Sequence, residues 1–167
     1  MPDRLAPRII NPDDFLLTPH GRLWSVERNK AAWRRCHETL QHKLLNDHQV
    51  QTVVIVCGLQ GAGKSSWIAQ QPEQANVIYF DAALPGARHR QPIVDIARAA
   101  EAVVEAVWIK VPLAVALERS SARQQDLRVP EDSIRSVARL FEPPTLEEGF
   151  DRVRIVDGAT LVVGRQD

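Results

Sequence analysis

One eight-residue stretch constrains this chain more than any other. Residues 58–65 read Gly-Leu-Gln-Gly-Ala-Gly-Lys-Ser and follow the apolar run 53–57. They fit the P-loop pattern G-x-x-x-x-G-K-[ST], with a predicted buried strand before it and a predicted short helix, 65–70, after it. Backbone N–H groups of a glycine-rich turn can point at phosphate oxygens, and the following helix adds its positive N-terminal end. The chain is therefore predicted to bind a nucleoside triphosphate.

The residue types within this stretch predict distinct roles. Lys64 is expected to reach the β- and γ-phosphates, and the Ser65 hydroxyl is expected to ligate Mg²⁺. ATP and Mg²⁺ are therefore the expected cofactors. The predicted nucleotide-binding residues of the loop are Gly58, Leu59, Gln60, Gly61, Ala62, Gly63, Lys64, Ser65 and Ser66.

The rest of the chain alternates between strand-like and helix-like segments, which is typical of an α/β protein. A length of 167 residues suits one domain with one substantial core. We expect a three-layer P-loop kinase fold, with a mostly parallel five-stranded sheet and helices on both faces. The predicted strands are 8–10, 53–57, 75–80, 102–111 and 150–156, and the predicted helices are 25–45, 65–70, 91–100, 113–123 and 131–141. Residues 16–24 and 85–90 are predicted loops.

Within this single domain, 1–167, the sequence suggests two parts. An N-terminal strand–helix unit is expected at 1–48, and a P-loop core at 50–157 with a lid near 119–130.

Bulk composition limits which binding partners and which cellular compartment are expected. The 21 basic and 21 acidic side chains cancel, so a polyanionic substrate would need a local basic patch. Cys36 and Cys57 are expected to be reduced and packed. No window approaches the roughly 18 apolar residues of a membrane span, and the first eight residues lack the apolar core of a signal peptide. We expect a cytoplasmic protein without a membrane partner.

Acidic side chains follow two predicted strands. Asp13 and Asp14 come just after the strand 8–10, where paired carboxylates indicate either a catalytic base with its neighbour or a turn and helix cap. Asp81 closes the strand 75–80, at the strand end where α/β proteins bind ligands. Asp81 is a candidate for the Mg²⁺ shell or for the base, and a plain strand-end cap is the alternative.

Basic side chains allow two interpretations as well. One side of the helix 25–45 is basic, which is typical either of a solvated face or of a surface for a substrate's phosphates. Arg119 and Arg123 are four apart, so on a helix 113–123 they would leave the same face, either as a solvated pair or as ligands. His37, His42 and His48 lack paired ligand spacing with acidic partners and are expected at the surface. The basic residues of the first helix are Arg28, Lys30, Arg34 and Arg35.

Five stretches carry a family resemblance that extends over about two thirds of the chain. They are Gly-Ala-Gly-Lys-Ser-Ser-Trp at 61–67, Val-Ile-Tyr-Phe-Asp-Ala-Ala-Leu at 77–84, Glu-Arg-Ser-Ser-Ala-Arg at 118–123, Val-Pro-Glu-Asp-Ser-Ile-Arg at 129–135, and Phe-Glu-Pro-Pro-Thr-Leu-Glu-Glu-Gly-Phe-Asp at 141–151. From Gly58 onward the chain resembles the kinase domain of the phage-type polynucleotide 5′-kinases, within the wider group of small P-loop kinases that includes zeta-like toxins.

The resemblance implies roles for two arginines and one acid. The family's lid pattern, Arg-Asn-x-x-Arg, is similar to Arg119-Ser-Ser-Ala-Arg123, which implies that both arginines bind the triphosphate and nucleotide. The family's Asp-Thr-Asn strand end becomes Asp81-Ala-Ala, which keeps the acid and loses its two neighbours.

The chain departs from the family in the order of its segments. In the family, a strand ending in an Asp-Asp-Tyr-Arg-like motif follows the P-loop helix, and its first Asp is the general base. Only one strand fits between Lys64 and Asp81, yet residues 10–15, Ile-Asn-Pro-Asp-Asp-Phe, are similar to the missing motif. We hypothesise that this strand–helix unit has moved ahead of the P-loop, so that Asp13 is the base. Leu16 stands where the family has an arginine that helps to hold substrate phosphate.

Taken together, these patterns predict an ATP-dependent phosphotransferase. The predicted catalytic residues are Asp13, Lys64, Arg119 and Arg123, and the predicted metal ligands are Ser65 and Asp81. On the resemblance, the favoured acceptor is the 5′-hydroxyl end of RNA or DNA. A kinase of a small hydroxylated metabolite or antibiotic, and a nucleotide-binding regulator that transfers no phosphate, are the alternatives.

Overall fold

The computed structural model describes residues 8–125 and 128–161. Five parallel strands form one sheet in the order β1-β5-β4-β6-β7, and two further short strands form a hairpin. The strands are β1 Arg8–Ile10, β2 Leu17–Thr18, β3 Gly21–Arg22, β4 Thr52–Cys57, β5 Val77–Asp81, β6 Val103–Lys110 and β7 Arg152–Asp157. The helices are α1 Val26–Asn46, α2 Lys64–Ala69, α3 Ala87–Ala99, α4 Leu113–Ser121 and α5 Glu131–Leu140.

The central strand β4 is buried on both faces, as its uninterrupted apolar run predicts. Val53 and Ile55 face a core that includes residues of α1 and α3. Val54 and Val56 face a second core that includes residues of α2, α4 and α5. The structure therefore confirms the predicted three-layer α/β fold of the P-loop kinases, with a sheet that is parallel throughout its five strands.

The long helix α1 covers the β1 side of the sheet. The Ser25 hydroxyl caps the helix by accepting a hydrogen bond from the Arg28 N–H. Trp33 stacks on Phe80 of β5 with ring centroids 5.9 Å apart. His37 also lies against Phe80 and is partly buried, which lowers its pKa. The prediction that His37 lies at the surface was therefore wrong, because the helix turns it toward the sheet.

Both cysteines are buried and free, as predicted. Burial raises the pKa of each thiol to about 12. Since the thiolate is the reactive form of cysteine, Cys36 and Cys57 are packing residues. In the part of the chain that the structure describes, no helix is both long enough and apolar enough to span a membrane.

Helix α3 begins four residues earlier than the sequence predicted. Residues 85–90, a segment rich in Arg and His, were predicted as a loop. Arg90 is instead fully buried, and its guanidinium donates to Glu148 at 2.7 Å and to the Leu84 carbonyl at 2.8 Å. These bonds satisfy a charge that would otherwise be costly to bury, so the first turn of the helix can pack inside the protein.

The predicted loop 16–24 contains a β-hairpin. Leu17 pairs with Arg22 and Thr18 pairs with Gly21 in antiparallel register. The Thr18 hydroxyl donates to the Gly21 carbonyl at 2.7 Å across the turn. Leu16, directly before the hairpin, is 1% exposed and fixes its base in the core.

Candidate active site

The predicted site residues meet at one edge of the sheet. Because β1, β4 and β5 are parallel, their carboxyl ends lie at the same edge, where α/β proteins bind ligands. The P-loop follows β4, and Asp81 ends β5 level with Val56 of β4. Ile10 of β1 pairs with Phe80, so the turn that carries Asp13 starts at the level of Asp81.

The P-loop backbone depends on glycine at two positions. Gly58 has a φ of +144°, and a Cβ there would lie 2.5 Å from the Ile109 carbonyl oxygen. Gly61 has a φ of +84°, and its Cβ would lie 2.5 Å from the Ala116 carbonyl oxygen. Both backbones therefore lie too close to β6 or α4 for a side chain, and both are in a region that glycine favours. This packing fixes the loop at the end of β4.

Lys64 lies partly buried over the loop that it follows. Its ammonium donates to the carbonyls of Gly58 at 3.1 Å and Leu59 at 2.9 Å. Burial lowers the pKa of Lys64, Asp81 raises it, Arg123 lowers it and Asp13 raises it. Charges from three other segments of the sequence therefore act on one ammonium group.

Ser65 and Asp81 bring two oxygen atoms together at the start of α2. The Ser65 hydroxyl donates to Asp81 Oδ2 at 2.6 Å, and Asp81 is 4% exposed. Mg²⁺ prefers such oxygen ligands and uses one or two from the protein, with phosphate and water completing the shell. The described residues contain no group of three His, Cys, Asp or Glu side chains that could hold a metal ion by themselves. The pair thus fits Mg²⁺ bound together with a nucleotide.

Arg119 contacts the backbone of the P-loop. Its guanidinium donates to the Ala62 carbonyl at 3.0 Å and reaches the Ala159 carbonyl at 3.4 Å. Gly158 packs so closely here that a Cβ would lie 2.6 Å from the Ala62 carbonyl oxygen. No local sequence pattern indicates this contact, because the residues of a turn do not specify which loop the turn will contact.

Arg119 and Arg123 do not share a helix face. Helix α4 ends at Ser121, so Arg123 lies two residues beyond it, and the prediction of a helix through 123 was wrong. The Arg123 N–H donates to the Ser120 carbonyl in the turn that ends the helix. The charge of Arg123 nevertheless acts on Lys64. Residues 126–127 of the predicted lid lie outside the described residues.

Asp13 lies in a 3-10 turn, Pro12–Phe15, directly after β1. The Asn11 side chain caps this turn by accepting from the Asp13 N–H at 2.9 Å, so the cap interpretation holds for Asn11. The Asp13 carboxylate is 58% exposed and accepts from the Arg22 guanidinium at 3.0 Å. Its neighbour Asp14 has a pKa raised by burial, by Asp13 and by Asp81. The charges of Asp13 and Asp81 therefore both act on Asp14.

Arg22 is a site residue that the sequence analysis missed. It lies nine positions after Asp13, and only the β2–β3 hairpin brings the two side chains together. The available signal was the short Pro19-His20-Gly21 segment, which is compatible with a tight turn between two strands.

The basic side of α1 is only partly a solvated face. The Arg28 guanidinium donates to the Leu23 carbonyl at 2.9 Å and so fastens the hairpin to the helix. Arg35 lies over the ring of Phe15, 5.4 Å from its centroid. Lys30 and Arg34 are exposed.

Comparison with known proteins matches part of this architecture. Residues 73–144 match the model of a family described as an AAA domain. The matched residues include Asp81, Arg119 and Arg123, and they begin after the P-loop. No curated protein matches the sequence. The match covers less than half of the chain, the fold is that of the P-loop kinases, and ATP is the ligand that the P-loop predicts.

Proposed function

We propose that this protein is an ATP-dependent kinase that transfers the γ-phosphate to a hydroxyl group. The observation that carries the proposal is the convergence of Asp13 and Asp81 on Lys64, from the ends of two different strands, since the charge of each carboxylate acts on the Lys64 ammonium group. Phosphoryl transfer requires mainly positioned charges around the phosphate and a group that accepts the hydroxyl proton. This edge of the sheet supplies both.

In the proposed reaction, the P-loop backbone and Lys64 bind the phosphates. Bound Mg²⁺ would offset phosphate charge, with Ser65 and Asp81 as its protein ligands. Asp13 accepts the proton of the acceptor hydroxyl as its oxygen bonds to the γ-phosphorus, and the bond to the β–γ bridging oxygen breaks to leave ADP. Arg123 stabilises charge on the transferred group. Arg119 supports the P-loop wall beside it.

We further propose that β1 and α1 are the strand–helix unit that the resembling kinases carry after their P-loop helix. Three facts support this. β1 lies at the sheet edge beside β5, α1 covers that edge, and the Asp13–Asp14 pair ends the strand at the level of Asp81. A catalytic role depends on geometry and not on chain order.

The acceptor that we favour is the 5′-hydroxyl end of RNA or DNA. The resemblance and the basic residues of α1 support it, because phosphates bind to arginine and lysine clusters. One observation favours a small hydroxylated metabolite instead. Leu16, which stands where the resembling kinases carry an arginine, is apolar and buried, so its side chain cannot pair with the charge of an acceptor phosphate.

Transfer of labelled γ-phosphate from ATP to a 5′-hydroxyl oligonucleotide tests this function, with Lys64→Ala as the inactive control. We expect transfer by the wild type that is lost in the control, and weaker oligonucleotide binding as salt rises. Transfer only to small alcohols would favour the metabolite kinase. ATP binding without transfer to either acceptor class would contradict the proposal and favour a regulator.

A further inference from the structure

A cavity of about 230 Å³ lies at the amino ends of the central strands, away from the candidate active site. Two of its lining residues, Thr52 and Val77, begin β4 and β5, whereas the P-loop follows the other end of β4. Sites for drug-sized ligands measure about 300–1,000 Å³, so this cavity fits a smaller molecule. Its lining is largely polar and includes Thr52, Gln74, Asn76, Tyr79, Glu105 and Arg154.

Two opposite charges line this cavity without pairing with each other. Glu105 of β6 and Arg154 of β7 lie on the same face of the sheet, because Arg154 pairs with Val107, two residues after Glu105. One strand spacing of about 4.8 Å and two residues at a rise of about 3.3 Å put their Cα atoms about 8 Å apart. The ion pairs among the described residues include neither side chain. A carboxylate and a guanidinium therefore line one cavity, and neither is neutralised by the other.

Aromatic side chains hold the Arg154 guanidinium beside the cavity. The guanidinium lies over the ring of Trp67, 5.5 Å from its centroid. Trp67 meets Tyr79 edge-on, with ring centroids 6.3 Å apart. Tyr79 is 7% exposed, and its pKa is raised by burial, lowered by Arg154 and raised by Glu105. Both charges therefore act on the Tyr79 hydroxyl, and the three side chains form one cluster.

This cluster indicates the chemistry of the molecule that would occupy the cavity. A ligand carboxylate fits the planar donor fork of a guanidinium, and a ligand ammonium group donates well to a carboxylate. An anion would be repelled by Glu105, and a cation would be repelled by Arg154. A small molecule that carries both charges avoids either repulsion and gives each protein charge a partner. An α-amino acid is such a molecule, with its two charged groups only one carbon atom apart.

We propose that this cavity binds a free α-amino acid, with the ligand carboxylate on Arg154 and the ligand ammonium group on Glu105. Such binding requires no phosphoryl transfer and is separate from the proposed kinase function. The hydroxyl of Thr52 and the amide of Asn76 supply further hydrogen-bonding groups for a polar ligand side chain.

The test measures binding of the standard L-amino acids to the full-length protein, first by thermal shift and then by titration calorimetry. An amino acid that raises the midpoint of thermal unfolding is compared with two analogues, the acid without its amino group and the amine without its carboxyl group. We expect both analogues to bind more weakly by about tenfold or more, the scale of one charge-assisted hydrogen bond. Absence of a shift with every amino acid at about 10 mM would overturn the inference, and so would equal binding of an amino acid and either analogue.

Two variants separate the two charge contacts. Glu105→Gln should remove the preference for the amino acid over the acid, and Arg154→Gln should remove the preference over the amine, because each variant keeps the other contact. A purely structural role would weaken all three ligands together. Glu131→Gln and Arg135→Gln change an exposed ion pair on α5 and are the matched controls, which should keep both preferences. Preferences that persist in both cavity variants would overturn the assignment of this site.

Discussion

At the scale of single residues, the candidate site changes the ionisation of Asp14. Its pKa is raised from the ordinary value of 3.8, first by burial and then by the neighbouring charges of Asp13 and Asp81. A carboxyl group whose pKa is raised on folding binds its proton more tightly in the folded state. Its contribution to stability is therefore greatest below about pH 3.8 and is lost as pH rises through the folded-state pKa.

The variant Asp14→Asn should remove this loss of stability at neutral pH. We expect its midpoint of thermal unfolding to exceed that of the wild type at pH 7, with the difference disappearing at pH 3, where the wild-type carboxyl is protonated in both states. Thermal denaturation followed by circular dichroism at the two pH values measures it. A variant that is less stable than the wild type at pH 7 would show that the Asp14 charge is not a net cost.

Some residues of the candidate site can be predicted from the sequence, and others only from the structure. Lys64 and Ser65 follow from the P-loop pattern because the spacing itself encodes their function. Arg22 does not follow from any pattern, since its role depends on a hairpin turn that brings it back to Asp13. The contact of Arg119 with the Ala62 carbonyl depends on how α4 packs against the P-loop, which sequence spacing does not specify.

Among the elements, α3 depends most on a single polar contact. The fully buried Arg90 pairs with Glu148, whose side chain is 10% exposed, and Glu148 also accepts from the Thr145 N–H at 2.8 Å. A buried ion pair contributes little net stability, but removal of one partner leaves an uncompensated charge inside the protein. The start of α3 therefore depends on the turn at residues 145–148.

Glu148→Gln should lower the free energy of unfolding by about 3–5 kcal/mol, because it leaves the Arg90 charge buried without a counter-charge. Glu131→Gln is the matched control. Glu131 pairs with Arg135 on an exposed face of α5, where such a pair contributes only about 0.3–0.5 kcal/mol. Urea denaturation measures both variants. Equal, small losses would mean that solvent reaches the Arg90 guanidinium.

The Arg90–Glu148 contact also illustrates which helices and strands could be predicted from the sequence. The strands were predicted within about two residues of their ends, because long apolar runs indicate burial on both faces. The beginning of α3 was missed because an arginine-rich segment indicates solvent unless its partner, 58 positions away, is known. The hairpin was missed because strands of two residues are too short to show an alternating pattern.

At the scale of the whole molecule, the sheet joins segments that are far apart in sequence. β1 pairs with β5 about 70 residues later, and this pairing brings the turn of Asp13 to the edge where the P-loop lies. The sequence suggested this arrangement only through a family resemblance, because no periodicity indicates which strand will lie beside which. The parallel direction of all five strands then gathers their carboxyl ends at one site.

The central claim is that Asp13, from the N-terminal strand, serves a P-loop in a later part of the chain. Its most direct test is the steady-state kinetics of Asp13→Asn with a 5′-hydroxyl oligonucleotide, alongside the neighbouring variant Asp14→Asn and a separate measurement of ATP affinity. We expect a loss in kcat of about 10²-fold or more for Asp13→Asn, with unchanged ATP affinity, and a much smaller loss for Asp14→Asn. An unchanged kcat in Asp13→Asn would contradict it.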